Sequence, residues 1–205
     1  MVDDDADGLM HRVGAHSPRC LHRTAEGEVY RARLVDGDRP VIVKRLRVSE
    51  PTAIDVARFA LESEVLRRLH GRQAVGAPVV LQDSQGAHGY FRVTEDLGGE
   101  TLRQMGEQRH FGVEGALALA RRIGTVLEAV HRAGVTHGRL RPEHIVCHAV
   151  EPEVQIIGFG TASMLIREPQ RSNSLDSLQA PLVYLAPEQM GCLVGRWIDK
   201  RCDVY

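Results

Sequence analysis

The chain has 205 residues, 43% hydrophobic and 26% charged, ordinary proportions for a globular protein long enough to bury a sizeable core. With 26 basic against 27 acidic residues the net charge is −1, which argues against nucleic acid or an acidic membrane surface as a partner. Cys20, Cys147, Cys192 and Cys202 lack a framework spacing and read as reduced thiols. The start is acidic rather than a basic, apolar secretory leader, and runs such as Ala116-Leu117-Ala118-Leu119-Ala120 are too short to span a bilayer. The expectation is a cytoplasmic protein without a membrane segment.

Residues 1–19 are polar and read as a flexible acidic tail. Asp3-x-Asp5-x-Asp7-Gly8 has the look of a calcium-loop start, but the twelfth position, where a bidentate Glu is needed, is Gly14. From Leu21 to Lys44 the pattern is strands broken by turns, with Asp36-Gly37-Asp38 as a hairpin signal before Val41-Ile42-Val43. A helix is predicted over about Ile54 to Leu69, with Phe59, Val65, Leu66 and Leu69 along one side. Val79-Val80-Leu81 and Tyr90 to Val93 read as strands, and Gly98-Gly99 as a hinge. Leu119, Ile123, Val126, Leu127 and Val130 share a helical face over about Glu114 to Ala133, and Gly134 is expected to cap it. Ile145-Val146-Cys147 and Val154 to Ile157 read as short strands, and 171–177 as a Ser-rich loop. The order predicts an α+β fold in two lobes, with an N-terminal lobe over 20–97 and a partial C-terminal lobe over 98–205.

Several stretches carry a more specific signal. They are Val41-Ile42-Val43-Lys44 followed by Glu62 on the next helix, His137-Gly138-Arg139-Leu140-Arg141-Pro142-Glu143-His144-Ile145-Val146, Gly158-Phe159-Gly160 and Ala186-Pro187-Glu188. From about Leu21 to Tyr205 the chain resembles the serine/threonine protein-kinase fold. It is most similar to the N-terminal kinase-like domain of large bacterial hybrid sensors, which precedes an ATPase-type module and a histidine kinase. That narrower resemblance rests on Glu95-Asp96-Leu97-Gly98-Gly99-Glu100-Thr101-Leu102, Tyr184 to Gly191 and Ile198 to Tyr205.

The resemblance implies a nucleotide site whose chemistry has been altered. Of the loop glycines that let backbone approach ATP phosphates, only Gly27 remains, in Leu21-His22-Arg23-Thr24-Ala25-Glu26-Gly27-Glu28-Val29. Lys44 matches the phosphate-pairing lysine and Glu62 its carboxylate partner; Leu21, Gly27, Val29 and Glu95 complete the nucleotide-facing set. Ile42 stands where a small residue is usual and would crowd the adenine. Arg139 occupies the place of the catalytic Asp, and a guanidinium has no lone pair with which to accept a proton. Gly158 has no side chain to ligate magnesium, and His144 offers nitrogen where Mg²⁺ prefers oxygen. Pro181 stands where the activation segment usually has Thr. Asp203 matches the residue that braces the catalytic-loop backbone.

The implied molecule is a pseudokinase-type domain without catalytic residues and with no metal expected. ATP is its candidate ligand, held without magnesium by direct contacts from Lys44, Arg139 and Arg141; the alternative is an empty pocket. His144, Cys147 and His148 read as structural rather than as a zinc site. Ser163, Ser172, Ser174 and Ser177 fall where kinases carry regulatory phosphosites, with a plain polar loop as the alternative. The chain stops as the central C-lobe helix begins, so the helix at Glu114 to Ala133 should keep part of its apolar side uncovered. That implies a fragment of a larger signalling protein, its downstream domains missing, or a chain that needs a protein partner. A weak ATP-dependent phosphotransferase and a degenerate fragment without independent function remain the alternatives.

Overall fold

The computed structural model describes residues 4–24, 27–46, 51–86, 89–108, 110–148, 153–164, 182–190 and 198–205. Pro181, Ser172, Ser174 and Ser177 lie outside them. The chain divides into two units, Met1–Arg67 with Pro78–Gly98, and Arg68–Ala77 with Gly99–Tyr205. An antiparallel sheet dominates the first and helix the second, which is the α+β class expected.

In the first unit, helix α1 (Asp4–Val13) is followed by strands β1 (Ala15–Arg23), β2 (Gly27–Leu34) and β3 (Pro40–Leu46), helix α2 (Ala53–Gly71), and strands β4 (Val80–Ser84) and β5 (Phe91–Glu95). The last turn of α2, from Arg68, belongs to the second unit. The sheet order is β1-β2-β3-β5-β4, antiparallel throughout. Along β3 the residues alternate: Val41, Val43 and Arg45 are buried, while Ile42, Lys44 and Leu46 are half-buried. A period of two sends these two sets to opposite faces of the sheet.

The tail expected over residues 1–19 needs correction, because its described part is α1 and the start of β1. Ala6, Leu9, Met10 and Val13 fall at i, i+3, i+4 and i+7, a single helical stripe. They are buried in one cluster with Tyr30, Ala32, Val41, Val43 and Val93, so burial of that stripe on the sheet holds a segment whose average composition is polar. On the same sheet face Glu28 is almost fully buried, where Arg45 Nε donates to it at 2.6 Å, Tyr30 Oη at 2.9 Å and Arg23 lies 2.8 Å away. Two cations and a hydroxyl meet the requirement that a buried carboxylate be paired.

In the second unit, strand β6 (Glu100–Thr101) and helix α3 (Leu102–Gln108) precede helix α4 (Val113–Arg132). Sequence reasoning missed α3, a helix only two turns long. Strands β7 (Val135–Thr136), β8 (Ile145–Cys147), β9 (Val154–Ile156) and β10 (Ser163–Met164) form two small sheets, β6-β8-β9 and β7-β10. The apolar face of α4 is buried only toward its C-terminal end, at Val126, Leu127 and Val130. Leu119 and Ile123 are half-buried, and Val113 and Leu117 are exposed. No helix among the described residues is long and apolar enough to cross a membrane.

Candidate functional site

In the first unit the cation singled out by the sequence is Lys44. Its ladder partners are Val29 on β2 and Arg92 on β5, so these three side chains share one sheet face. Lys44 Nζ donates to Glu62 Oε2 at 2.6 Å, the pairing expected from the sequence. Sequence reasoning did not find Arg92, whose Nη1 lies 2.8 Å from the same oxygen. The buried stripe of α2 runs Phe59, Glu62, Ser63 and Leu66. Two polar residues inside an apolar stripe are the signal that a polar partner faces it.

Burial alone would push the Glu62 carboxyl up. The positive charges of Lys44 and Arg92, and the hydrogen bonds both make to it, outweigh that and hold it at about 2. Glu62 is therefore a carboxylate at every physiological pH, and Lys44 faces a fixed negative charge.

The other residues assigned to the nucleotide are placed less uniformly. Val29 is half-buried opposite Lys44. Leu21 lies at an irregularity in the β1–β2 pairing and is exposed. Glu95 pairs with Val41 and so belongs to the opposite face from Lys44, with Arg39 Nη1 at 3.6 Å. A Cβ on Gly27 would lie 2.8 Å from the carbonyl oxygen of Arg45. Close approach of β2 to β3 is thus by itself a reason for glycine there, apart from any phosphate. The sequence reading also missed Arg31, which faces Ile42 across the ladder and grips Asp96 with Nε at 2.5 Å and Nη2 at 3.2 Å.

In the second unit the catalytic-loop frame is intact. Asp203, buried, accepts from the backbone N–H of His137 at 2.8 Å and of Gly138 at 2.6 Å, and its Oδ2 lies 2.9 Å from His131 Nε2. This is the bracing role expected of Asp203. His137 Nδ1 accepts from the N–H of Arg139 at 3.2 Å while Nε2 donates to Ile157 O at 2.9 Å, which fixes the orientation of the ring. Gln189, just after the Ala186-Pro187-Glu188 stretch, donates to Gly138 O at 2.6 Å.

Within that frame the working positions hold different chemistry. Arg139 is half-buried, and its carbonyl accepts from His144 Nδ1 at 2.8 Å. Arg141 precedes the 3-10 turn Pro142–His144 with its Nε buried, 3.8 Å from Glu143 Oε2. Glu143 therefore offsets part of the positive charge expected at Arg141. Gly158 has φ +84, and a Cβ there would lie 2.8 Å from His144 Cδ2 and 3.0 Å from its Nε2. The imidazole of His144 takes up the space in which any side chain at position 158 would begin. Magnesium does not fit this donor set: one position has no ligand atom, the other supplies nitrogen, and the two crowd each other. Among the described residues no group of three or more His, Cys, Asp and Glu side chains is placed to hold a metal ion.

Comparison with known proteins gives the context of these residues. The family model for the protein kinase domain matches residues 21–205. Serine/threonine-protein kinase PknL of Mycobacterium tuberculosis is 31% identical over 180 residues, 86% of this chain and 43% of that protein. Serine/threonine-protein kinase PknE of the same species is 30% identical over 190 residues, 91% of this chain and 32% of that protein. Serine/threonine-protein kinase pkn3 of Myxococcus xanthus is 29% identical over 227 residues, all of this chain and 38% of that protein. The chain thus spans less than half the length of these relatives.

Proposed function

The chain belongs to the protein kinase family, and from that premise we propose that it is a catalytically impaired, pseudokinase-type domain acting as a regulatory or nucleotide-binding module in bacterial signalling. The observation that carries this reading is the packing of His144 against Gly158. One lost ligand could be compensated by a neighbour. Here a ring fills the space from which the ligand would project, and Arg139 supplies no base.

Lys44 and its fixed carboxylate support the nucleotide-binding half of the reading. A lysine held beside a carboxylate is a preformed point charge for phosphate. ATP is the proposed ligand, bound without magnesium, with Lys44, Arg139 and Arg141 as the cations to be tested one by one. The proposed setting is cytoplasmic, beside a protein partner or further domains of a signalling protein such as a hybrid sensor. The motifs at Glu95 to Leu102, Tyr184 to Gly191 and Ile198 to Tyr205 support that setting.

The test pairs two measurements. Radiolabelled ATP should transfer no phosphoryl group to the chain or to a generic substrate protein above a Lys44→Ala control. Thermal-shift titration with ATP should give the same stabilisation in EDTA as in magnesium. The second reading, a weak or atypical ATP-dependent serine/threonine kinase, is favoured by the formed Lys44–Glu62 pair. Lys44-dependent transfer, or a thermal shift that appears only with magnesium, would establish it in place of the first.

A further inference from the structure

Glu62 has two cations where the pairing read from the sequence needs one, and they are not equivalent. The Lys44 side chain is 40% exposed and touches Glu62 through one ammonium. The Arg92 side chain is 2% exposed and holds α2 at several points. Its Nη2 donates to the carbonyl of Phe59 at 2.5 Å and also to Ser63 Oγ, its Nε donates to Ser63 Oγ at 3.0 Å, and its Nη1 lies 2.8 Å from Glu62. The guanidinium carbon sits 4.4 Å from the centroid of the Phe59 ring. Asp83 on β4 approaches it at 3.6 Å and binds Arg67 of α2 at 2.7 Å. One rigid fork on β5 thus takes a backbone carbonyl, a hydroxyl, a carboxylate and an aromatic face on successive turns of one helix.

In a protein kinase the Lys–Glu pair must be in place for activity, and movement of the helix bearing Glu is what regulation controls. In this chain that helix is tied to the sheet by a residue other than the lysine. We propose that Arg92 is the positioning residue for Lys44: it holds Glu62, and α2 with it, against β5, so that the Lys44–Glu62 pair stands formed without nucleotide and without phosphorylation. The ammonium can then turn toward a phosphate while Glu62 keeps a partner. A Lys–Glu pair alone would leave a buried carboxylate unpaired whenever the lysine moved, which is strongly unfavourable. The inference deepens the reading of Lys44 given above. Its test is run without nucleotide, so that failure of ATP to bind and failure of this inference remain distinct.

Hydrogen exchange of the amides over 56–67, measured on the full chain, reads the tether directly. The wild type should be protected with no ligand present. Lys44→Met should change that protection by less than about threefold. Arg92→Met should speed exchange at least about tenfold, and Arg92→Lys, which keeps the charge and loses the fork, should fall between. The Glu62 carboxyl, followed by carbon-13 NMR, should stay below its ordinary range in Lys44→Met, because Arg92 remains. Should Arg92→Met fail to fold, Lys44→Met and Arg92→Lys still decide. Protection lost in Lys44→Met as fully as in Arg92→Lys, or Glu62 returning to ordinary titration on loss of Lys44 alone, would overturn the inference.

Discussion

On the proposed reading, the two units of this chain depart from the protein kinase pattern in opposite ways. The first keeps the working pair, Lys44 and Glu62 at 2.6 Å, and strengthens it with a buried arginine. The second keeps its backbone frame, with Asp203 bracing His137 and Gly138, and on the proposed reading has Arg139, His144 and Gly158 where a base and metal ligands would stand. A frame is held by backbone hydrogen bonds and burial, which the fold itself requires. Ligands and bases hold nothing up, so their loss leaves the fold intact. On the proposed reading, a domain can lose its phosphoryl-transfer chemistry and still match the protein kinase family model over residues 21–205.

Asp203→Ala gives the largest expected effect, because it attacks the retained frame. It strips a buried carboxylate from two backbone donors and His131 at once and should cost about 3–5 kcal/mol, read as a lowered urea midpoint. A loss below about 1 kcal/mol would mean that the frame does not depend on this brace. Glu62→Gln comes next, at about 2–4 kcal/mol, because it takes from the buried Arg92 guanidinium its nearer carboxylate and leaves only Asp83 at 3.6 Å. The sign of its pH dependence follows from a carboxyl held at about 2 in the fold against an ordinary 4.5. The unfolded chain binds the proton more readily, so this stabilisation is complete above pH 4.5 and is lost as pH falls toward 2. The difference between wild type and Glu62→Gln should be flat at neutral pH and shrink in acid, where protonated Glu and Gln are nearly isosteric.

Gly158→Asp probes the altered chemistry. The new Cβ meets the His144 ring, which the Arg139 carbonyl holds in place, and a φ of +84 disfavours any side chain there. The expected cost is about 1–3 kcal/mol, and adding His144→Asn, which removes the ring, should recover the clash but not the cost of the positive φ. If Gly158→Asp is as stable as wild type, the two substitutions are independent losses rather than one fitted pair. The double variant should also gain a magnesium-dependent thermal shift with ATP, and phosphoryl transfer should still require Arg139→Asp.

The positions around Arg139, His144 and Gly158 were legible because their neighbours in sequence form short motifs, and the adjoining strand follows from the run Ile145-Val146-Cys147, as β3 with Lys44 follows from Val41 to Val43. Arg92 was not legible, because its meaning lies in the β3–β5 register that sets it opposite Lys44. The polar pair Glu62-Ser63 within the buried stripe of α2 was a usable hint of it. The helix α1 was missed for a different reason. Its stripe of Ala6, Leu9, Met10 and Val13 is regular, but acidic and basic neighbours mask it in average composition. The crowding of Gly158 by His144 joins residues fourteen positions apart, brought together by β8 pairing with β9.

Lys44→Met should have the smallest effect on stability, below about 1 kcal/mol, because a partly exposed ammonium contributes little when its partner retains a second cation. If it destabilises the chain as much as Glu62→Gln does, the two cations are equivalent and the asymmetry drawn between them is wrong. A small effect makes the variant informative about ligand as well. With the fold unchanged and Glu62 still ionised against Arg92, any loss of the ATP thermal shift in Lys44→Met reports on the ammonium itself. The same loss in Arg92→Met could arise from a displaced helix. Only the lysine substitution separates phosphate recognition from the architecture that presents it.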